Sequence, residues 1–417
     1  MSSDIWSCLS RVKVLDLSNE FGFLCGKMLA DLGADVIKVE SPIDDASSGG
    51  YPPNQQSTEA EGSLYYYAYN AGKRGITLNL HLEEGRDLFK KLIEKTDIVI
   101  ESFPPGTMKR YNLDYEDLTR INRGLIYASI TPFGRTGPYK DYETTDLTSL
   151  AMGGLLYLTG DADRPPVRIG SPQAYLHAGS DACVGIMMAL YQRAITGEGQ
   201  LVDVSIQESI LITTFNIIPL WVTEGTIVSR MGASRMISSK LQMPISWPCK
   251  DGYVSFSIFG GLSGGRSMKN LGEWMEEKGM GDALISGTDW GSFDFFGFTT
   301  ELVEKVAKPI AYFFAQFTSE ELFEGAMKRG IILFPVVNAD YIVKDPHLSA
   351  KGFWQEMDYP GKEGSIDFPR APFRIDNEYP PPKSRAPLKG EHNIPVYSEL
   401  AGLSPREVEA LKARGIV

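Results

Sequence analysis

Residues 12–39 read VKVLDLSNEFGFLCGKMLADLGADVIKV, and the hydrophobic period changes twice along them. Val12 to Leu17 is a short apolar run with β-branched residues, bounded by Ser18 and Asn19, which is the pattern of a strand. Gly22 to Leu32 carries helical spacing and stops at Gly33, a residue that tolerates the left-handed backbone that ends a helix. Asp35 to Val39 is strand-like again. Strand, helix and strand in so short a span make one βαβ unit, and this predicts an α/β fold with a mostly parallel sheet covered by helices.

The same alternation continues outward. Ile76 to Leu80, Asp97 to Ile100 and Leu125 to Ile130 read as further strands, and Glu83 to Glu94 as an amphipathic helix that packs Leu88, Leu92 and Ile93. A long helical pattern from Tyr175 to Thr196 precedes a strand from Gln200 to Ser205 and a helix that runs to about Leu220. Residues 225–330 are richer in Met, Ser, Gly and Phe with less regular spacing, so they are expected to form a smaller α/β domain. Residues 1–224 are then the large domain, and 331–417 a linker that returns to it. Pro360, Pro369, Pro372 and Pro380 to Pro382 predict an extended connection, and Pro405 to Arg414 a closing helix capped by Ser404.

A chain of 417 residues with 43% hydrophobic and 23% charged residues is long enough for a sizeable core and globular in composition. The net charge of -12 argues against nucleic acid as a partner, so an anionic ligand needs a local basic pocket. The apolar runs, such as Ile210 to Val222, fall short of a membrane span. Cys8, Cys25, Cys183 and Cys249 form no CxxC pair and the opening residues carry no leader-type run, so reduced thiols and a cytoplasmic location are expected. His81, His177, His347 and His392 lack a second ligand at metal spacing, so no metal site is expected.

Three chemical motifs compete. Strand, turn, helix, strand and then Glu40 follow the order of a dinucleotide-binding unit, but the turn from Asn19 to Gly26 lacks its spaced glycine triplet. Gly261-Leu262-Ser263-Gly264-Gly265 matches a nucleophile elbow, although a chain with 42 glycines offers many chance matches. Lys38, Lys73, Arg74, Lys109 and Arg110 fall at or just beyond strand ends, where open α/β sheets bind ligands and where cations suit phosphate.

The stretch Gly22 to Pro42, GFLCGKMLADLGADVIKVESP, resembles the N-terminal signature of class III coenzyme A transferases. The resemblance continues through Asn70 to Arg74 and ITLNL, DIVIESFPPGTMKRYNLDYEDL, LIYASITPFGRTGPY, ALYQRAITGEGQLVDVSIQES and APLKGEHN, so it covers essentially the whole chain. It implies a Rossmann-like large domain, a smaller domain, and two chains threaded through one another as linked rings. It also implies coenzyme A (CoA) and acyl-CoA as substrates with no permanently bound cofactor. The family's CoA-contacting segments fall here on Glu20, Phe21, Ser41, Leu78, Asn79, Leu80, His81, Ser102, Phe103, Pro104 and Arg110. Ser41 stands where relatives often place an arginine, and Glu143 where at least one places a lysine.

In the family an aspartate attacks the donor thioester to give an acyl anhydride, and the CoA thiolate then forms an enzyme thioester. Its block reads here Ser171-Pro172-Gln173-Ala174-Tyr175-Leu176-His177-Ala178-Gly179, and Tyr175 occupies the aspartate's place. Gly185, Ala189, Leu190 and Arg193 fix that register without gaps. A phenol with an ordinary pKa of about 10 cannot carry an anhydride relay. Asp181 lies off the same helical face, Asp161 and Asp163 sit in a polar loop, and Asp146 matches an acid that the family uses in support. The racemases that share the fold use His and Asp at the places of Thr145 and Tyr175, so proton shuttling has also lost both partners. The expectation is therefore a non-catalytic subunit that pairs with a homologous, aspartate-bearing one and takes CoA from succinyl-CoA. A CoA-binding or regulatory protein, and a homodimeric transferase for another acid using a different carboxylate, are the alternatives.

Overall fold

The computed structural model describes residues 8–43, 64–238, 241–293, 297–358, 364–381 and 383–417. The chain divides into two compact units, Met1–Leu155 with Ile169–Thr214 and Ser349–Val417, and Leu156–Arg168 with Phe215–Leu348. The crossings fall at Thr214 and Leu348, whereas the sequence reading puts them at 224 and 330, and residues 156–168 are an added excursion. Periodicity does not register the first crossing, because the apolar pattern runs on through it.

The first unit is built on β1 (Lys13–Asp16), β2 (Asp35–Glu40), β3 (Arg74–Thr77), β4 (Ile98–Glu101), β5 (Ile126–Thr131) and β6 (Leu201–Ser205). They form one sheet in the order β3-β2-β1-β4-β5-β6, with every pair parallel. This is the doubly wound Rossmann order, and its direction reverses between β1 and β4, where such sheets open a crevice at their carboxyl ends. The connections are α1 (Phe23–Asp31), α2 (Leu64–Asn70), α3 (Glu83–Ile93), α4 (Thr107–Arg110), α5 (Tyr115–Leu118), α6 (Asp146–Met152), then α7 (Leu155–Leu158) where the chain crosses into the second unit, and on its return α8 (Ala174–Thr196) and α9 (Ile206–Thr213). Helix α3 buries Leu88, Phe89, Leu92 and Ile93 against Leu15, Ile37, Ile76 and Val99 of the sheet. Gly33 takes a positive φ of 100 and stops α1 where the sequence predicts. The predicted strand Ile76–Leu80 begins and ends earlier, because the chain after Thr77 leaves the ladder for the crevice.

In the second unit α10 (Ile217–Glu224) precedes a hairpin of β7 (Ser234–Ser238) and β8 (Leu241–Pro244). An antiparallel sheet of β9 (Ser246–Pro248), β10 (Tyr253–Phe256) and β11 (Leu333–Pro335) is flanked by α11 (Gly261–Glu277), α12 (Ala283–Gly287), α13 (Thr300–Phe314) and α14 (Ser319–Arg329). Trp247, Phe256, Phe313 and Phe314 form its aromatic core, and the Trp247 indole donates to the Phe256 carbonyl at 2.7 Å. The serine-elbow candidate is the opening turn of α11. A Cβ on Gly265 would meet the Trp290 carbonyl oxygen at 2.4 Å, so this glycine serves close packing.

After α15 (Ala339–Val343) and α16 (Pro346–Ala350) the chain returns through β12 (Trp354–Asp358) and β13 (Ser365–Pro369), an antiparallel pair within the stretch predicted to be extended. Pro360 and Pro382 of that prediction lie outside the described residues. Helix α17 (Asn393–Ala401) then covers the open edge of β3, which would otherwise expose unpaired backbone groups. Asn393 accepts from the Thr77 amide at 2.8 Å, Tyr397 donates to the Thr77 carbonyl at 2.6 Å, and the His392 amide donates to the Gly75 carbonyl at 2.8 Å. A final helix α18 (Pro405–Ala413) starts on a capping box of Ser404 and Glu407.

Candidate active site

A cavity of about 450 Å³ opens at the carboxyl ends of the central strands. Leu17, Ser18 and Asn19 after β1, Lys38 to Ser41 at the end of β2, Leu78, Leu80 and His81 after β3, and Ser102 to Pro104 after β4 line it, with Arg110 and Tyr111 at the end of α4. Of the residues that the sequence resemblance picks out, Ser41, Leu78, Leu80, His81, Ser102, Phe103, Pro104 and Arg110 are thus brought together in one wall. Asn79 is buried and turned away: its amide donates to the Gly415 carbonyl and its oxygen accepts from the His81 amide, so it shapes the turn that presents His81. Glu20 and Phe21 are not among the lining residues. Glu40, Tyr111 and the Asn19 turn line it without having been picked out as ligand contacts. Glu40 alone carried a signal, as the acid that closes a βαβ unit.

Only two of the five strand-end cations face the cavity. Lys38 is 4% exposed, and its ammonium donates to the carbonyls of Asp16 and Ser18 at 3.1 and 2.6 Å. Arg110 is exposed and donates to the Thr107 hydroxyl. Lys73 is instead buried on Asp16 at 2.7 Å, and Arg74 pairs with Asp35 and Glu399 on the outer side. Burial pushes the Asp16 carboxyl up, but Lys73 and Lys38 outweigh it and hold the group below its ordinary value. Gly26 makes room for this pair, since a Cβ there would lie 2.5 Å from the Asp16 carboxylate.

Two loops of the wall are clasped together. The Asn19 amide donates to the Ser102 hydroxyl at 2.8 Å, and that hydroxyl donates to the Asn19 side-chain oxygen at 2.9 Å. The same oxygen accepts from the Phe21 amide at 3.0 Å. Beneath the second loop, Glu101 accepts from the Phe103 amide at 2.7 Å, and burial raises its carboxyl to about 7.

Phe21 connects this wall to the start of α8. Its ring centroid lies 4.7 Å from that of Tyr175, which is 5% exposed in the first turn of the helix. The turn is anchored by Asp146, whose Oδ1 accepts from the Gln173 and Ala174 amides at 2.8 and 2.9 Å. Asp146 is itself the first residue of α6, where Thr145 serves as the capping hydroxyl. A carboxylate that joins two helix N-termini is electrostatically well placed, because both present partial positive charge. Asp181 faces outward from α8, and Asp161 and Asp163 belong to the second unit. The buried thiols are poor nucleophiles, since burial pushes Cys25 well up and Cys183 up to about 11. Among the described residues no group of His, Cys, Asp and Glu could hold a metal, and no helix is long and apolar enough to cross a membrane.

Comparison with known proteins gives the family. A family model described as "CoA-transferase family III" matches residues 9–393. The chain is 33% identical over 415 residues to the succinyl-CoA:(R)-benzylsuccinate CoA-transferase subunit BbsE of Thauera aromatica, covering 98% of both chains. It is 31% identical over 408 residues to a succinyl-CoA:mesaconate CoA-transferase of Haloarcula hispanica, covering 96% of this chain and 99% of the relative. Among solved structures, a CAIB/BAIF family protein from Brucella suis superposes with a TM-score of 0.77 at 30% identity, covering 94% of this chain and 99% of that one.

Proposed function

This chain belongs to CoA-transferase family III, and from that premise we propose that it is the non-catalytic subunit of a heteromeric enzyme whose nucleophilic aspartate sits on a homologous partner. CoA thioesters are the family's substrates rather than resident cofactors. The observation that carries the proposal is Tyr175: the first turn of α8 is intact and anchored by Asp146, yet the side chain it presents is a phenol. A carboxylate suits the relay because its covalent intermediates split one difficult exchange into easier steps, whereas the ordinary phenol pKa of about 10 leaves Tyr mostly protonated at neutral pH.

The donor under this reading is succinyl-CoA and the acceptor a carboxylic acid, with (R)-2-benzylsuccinate of anaerobic toluene breakdown as the assignment. The similarity to a relative named as a subunit for that pair supports it. The exposed face of α8 supports a second chain: Val184, Met187, Met188, Tyr191 and Ile195 form one stripe along it, with Tyr191 70% exposed. The two chains interlock as linked rings in the cytoplasm, a reducing setting that agrees with four free cysteines.

The test is to purify the chain alone and together with an aspartate-bearing paralogue and to assay CoA transfer from succinyl-CoA to (R)-2-benzylsuccinate. Transfer is expected only from the pair. Robust transfer by the lone chain would overturn the proposal.

A further inference from the structure

The phenol at position 175 does more than stand where a carboxylate is missing, because its ring is packed on the turn that shapes the cavity wall. The Tyr175 and Phe21 rings lie 4.7 Å apart between centroids, with their planes tilted by 46°. Phe21 precedes Gly22, where the turn out of β1 is wound so closely that a Cβ would lie 2.6 Å from the Ser18 Cβ. The Asn19 side-chain oxygen accepts from both the Phe21 amide and the Ser102 hydroxyl, so this turn and the loop after β4 are held as one piece. Ser18, Asn19 and Ser102 face the cavity, whereas Phe21 and Tyr175 are not among its lining residues. The other end of the ring contact is fixed as well. Asp146 holds the Gln173 and Ala174 amides at the start of α8, and Gly179 seats that helix on α1, where a Cβ would lie 3.0 Å from the Leu24 Cβ.

We propose that Tyr175 is a positioning residue for CoA binding: its ring braces Phe21, and through Phe21 the Ser18–Asn19 turn and the Ser102 loop, in the arrangement that receives the coenzyme. The proposal rests on the reading of the cavity as the CoA site. A packed aromatic pair contributes beyond the apolar area that it buries, whereas an aspartate in the same place is charged at neutral pH and has no ring to pack on Phe21. One position thus carries either an acyl-accepting carboxylate or the brace, and this chain carries the brace. Lys38 is already engaged by the Asp16 and Ser18 carbonyls, so binding depends on a wall held in shape as well as on its charge.

Calorimetric titration of the full chain with CoA tests this on the wild type, Tyr175→Phe, Tyr175→Ala, Tyr175→Asp, Phe21→Ala and the double alanine variant, with urea unfolding to establish that each is folded. Tyr175→Phe keeps the ring and is expected to bind CoA within about twofold of wild type. Tyr175→Ala, Tyr175→Asp and Phe21→Ala should each weaken CoA by about tenfold, the scale that one aromatic pair supports. The double variant should bind within about twofold of either single alanine variant, because both remove the same link. Phe21 is half-buried, so Phe21→Ala with Tyr175→Phe decides the matter even where Tyr175→Ala does not fold. Folded Tyr175 variants that all bind CoA within about twofold of wild type would overturn the proposal, as would losses that multiply to about a hundredfold in the double variant. A folded wild type that binds no CoA would overturn the CoA-site reading itself, and the proposal with it.

Discussion

Replacing Glu101 by Gln should stabilise the protein at alkaline pH and do little at acidic pH. Glu101 is 4% exposed at the end of β4, and burial lifts its carboxyl from 4.5 to about 7, against the opposing pull of the Ser129 hydroxyl, the Phe103 amide and Arg135. Asp114 is the nearby acid that adds to the rise. Because the folded value is the higher one, the folded state holds this proton more tightly than the unfolded chain does. The group therefore favours folding most below 4.5, and its contribution is lost as pH rises from there through about 7. The difference between the two values corresponds to about 3 kcal/mol at pH 8 and above. A glutamine keeps the acceptor for the Phe103 amide, and the Ser129 hydroxyl can turn to accept from the new amide, so the substitution removes the charge with little other change. Urea unfolding of wild type and Glu101→Gln at one protein concentration, at pH 5 and pH 8, measures this. The variant should gain about 2–3 kcal/mol on wild type at pH 8 and stay within about 1 kcal/mol at pH 5. A variant no more stable at pH 8 than wild type, or a gain equal at both pH values, would refute the reasoning.

Other outcomes follow from the same side chains. Lys73→Met leaves Asp16 buried without its main counter-charge and should cost about 3–5 kcal/mol by urea unfolding at pH 7; the penalty should shrink as pH falls and Asp16 takes up a proton. Asp146→Ala removes the acceptor of both amides at the start of α8 and should cost about 1–3 kcal/mol, whereas Asp146→Asn, which keeps an acceptor oxygen, should lose less. Tyr175→Asp alone should leave the lone chain without CoA transfer, because the relay needs oxyanion donors aligned on the carboxylate as well as the carboxylate itself; full transfer by that variant would show that the rest of the machinery is present.

The βαβ opening was legible because burial on both sheet faces leaves continuous apolar strands, and β1, α1 and β2 fall within a residue or two of their predicted bounds. Helices α13 and α14 were not resolved within 225–330, although Thr318 and Glu321 spell a capping box before an apolar face. The glycine- and phenylalanine-rich stretches around them masked that signal. The helix α2 was missed because LYYYAYN has no polar face to set a period. At the site, residue order along the sheet gathers most of the cavity wall, since strand ends in a parallel sheet share one edge. Which cations face a ligand was not legible: Lys38 lies within β2 and Lys73 just before β3, and only the tertiary position of Asp16 shows that Lys73 is taken up by a buried ion pair at 2.7 Å. The contact between Phe21 and Tyr175 likewise depends on how α8 packs on α1, where Gly179 brings the helices close.

The central claim is that the acyl-carrying carboxylate is not on this chain. The pair of subunits should be incubated with succinyl-CoA alone, treated with hydroxylamine, and each chain mapped by peptide mass spectrometry. The account predicts a hydroxylamine-sensitive modification on an aspartate of the partner and an unmodified α8 in this chain. A modification on Tyr175, Asp146 or Asp181 would contradict it.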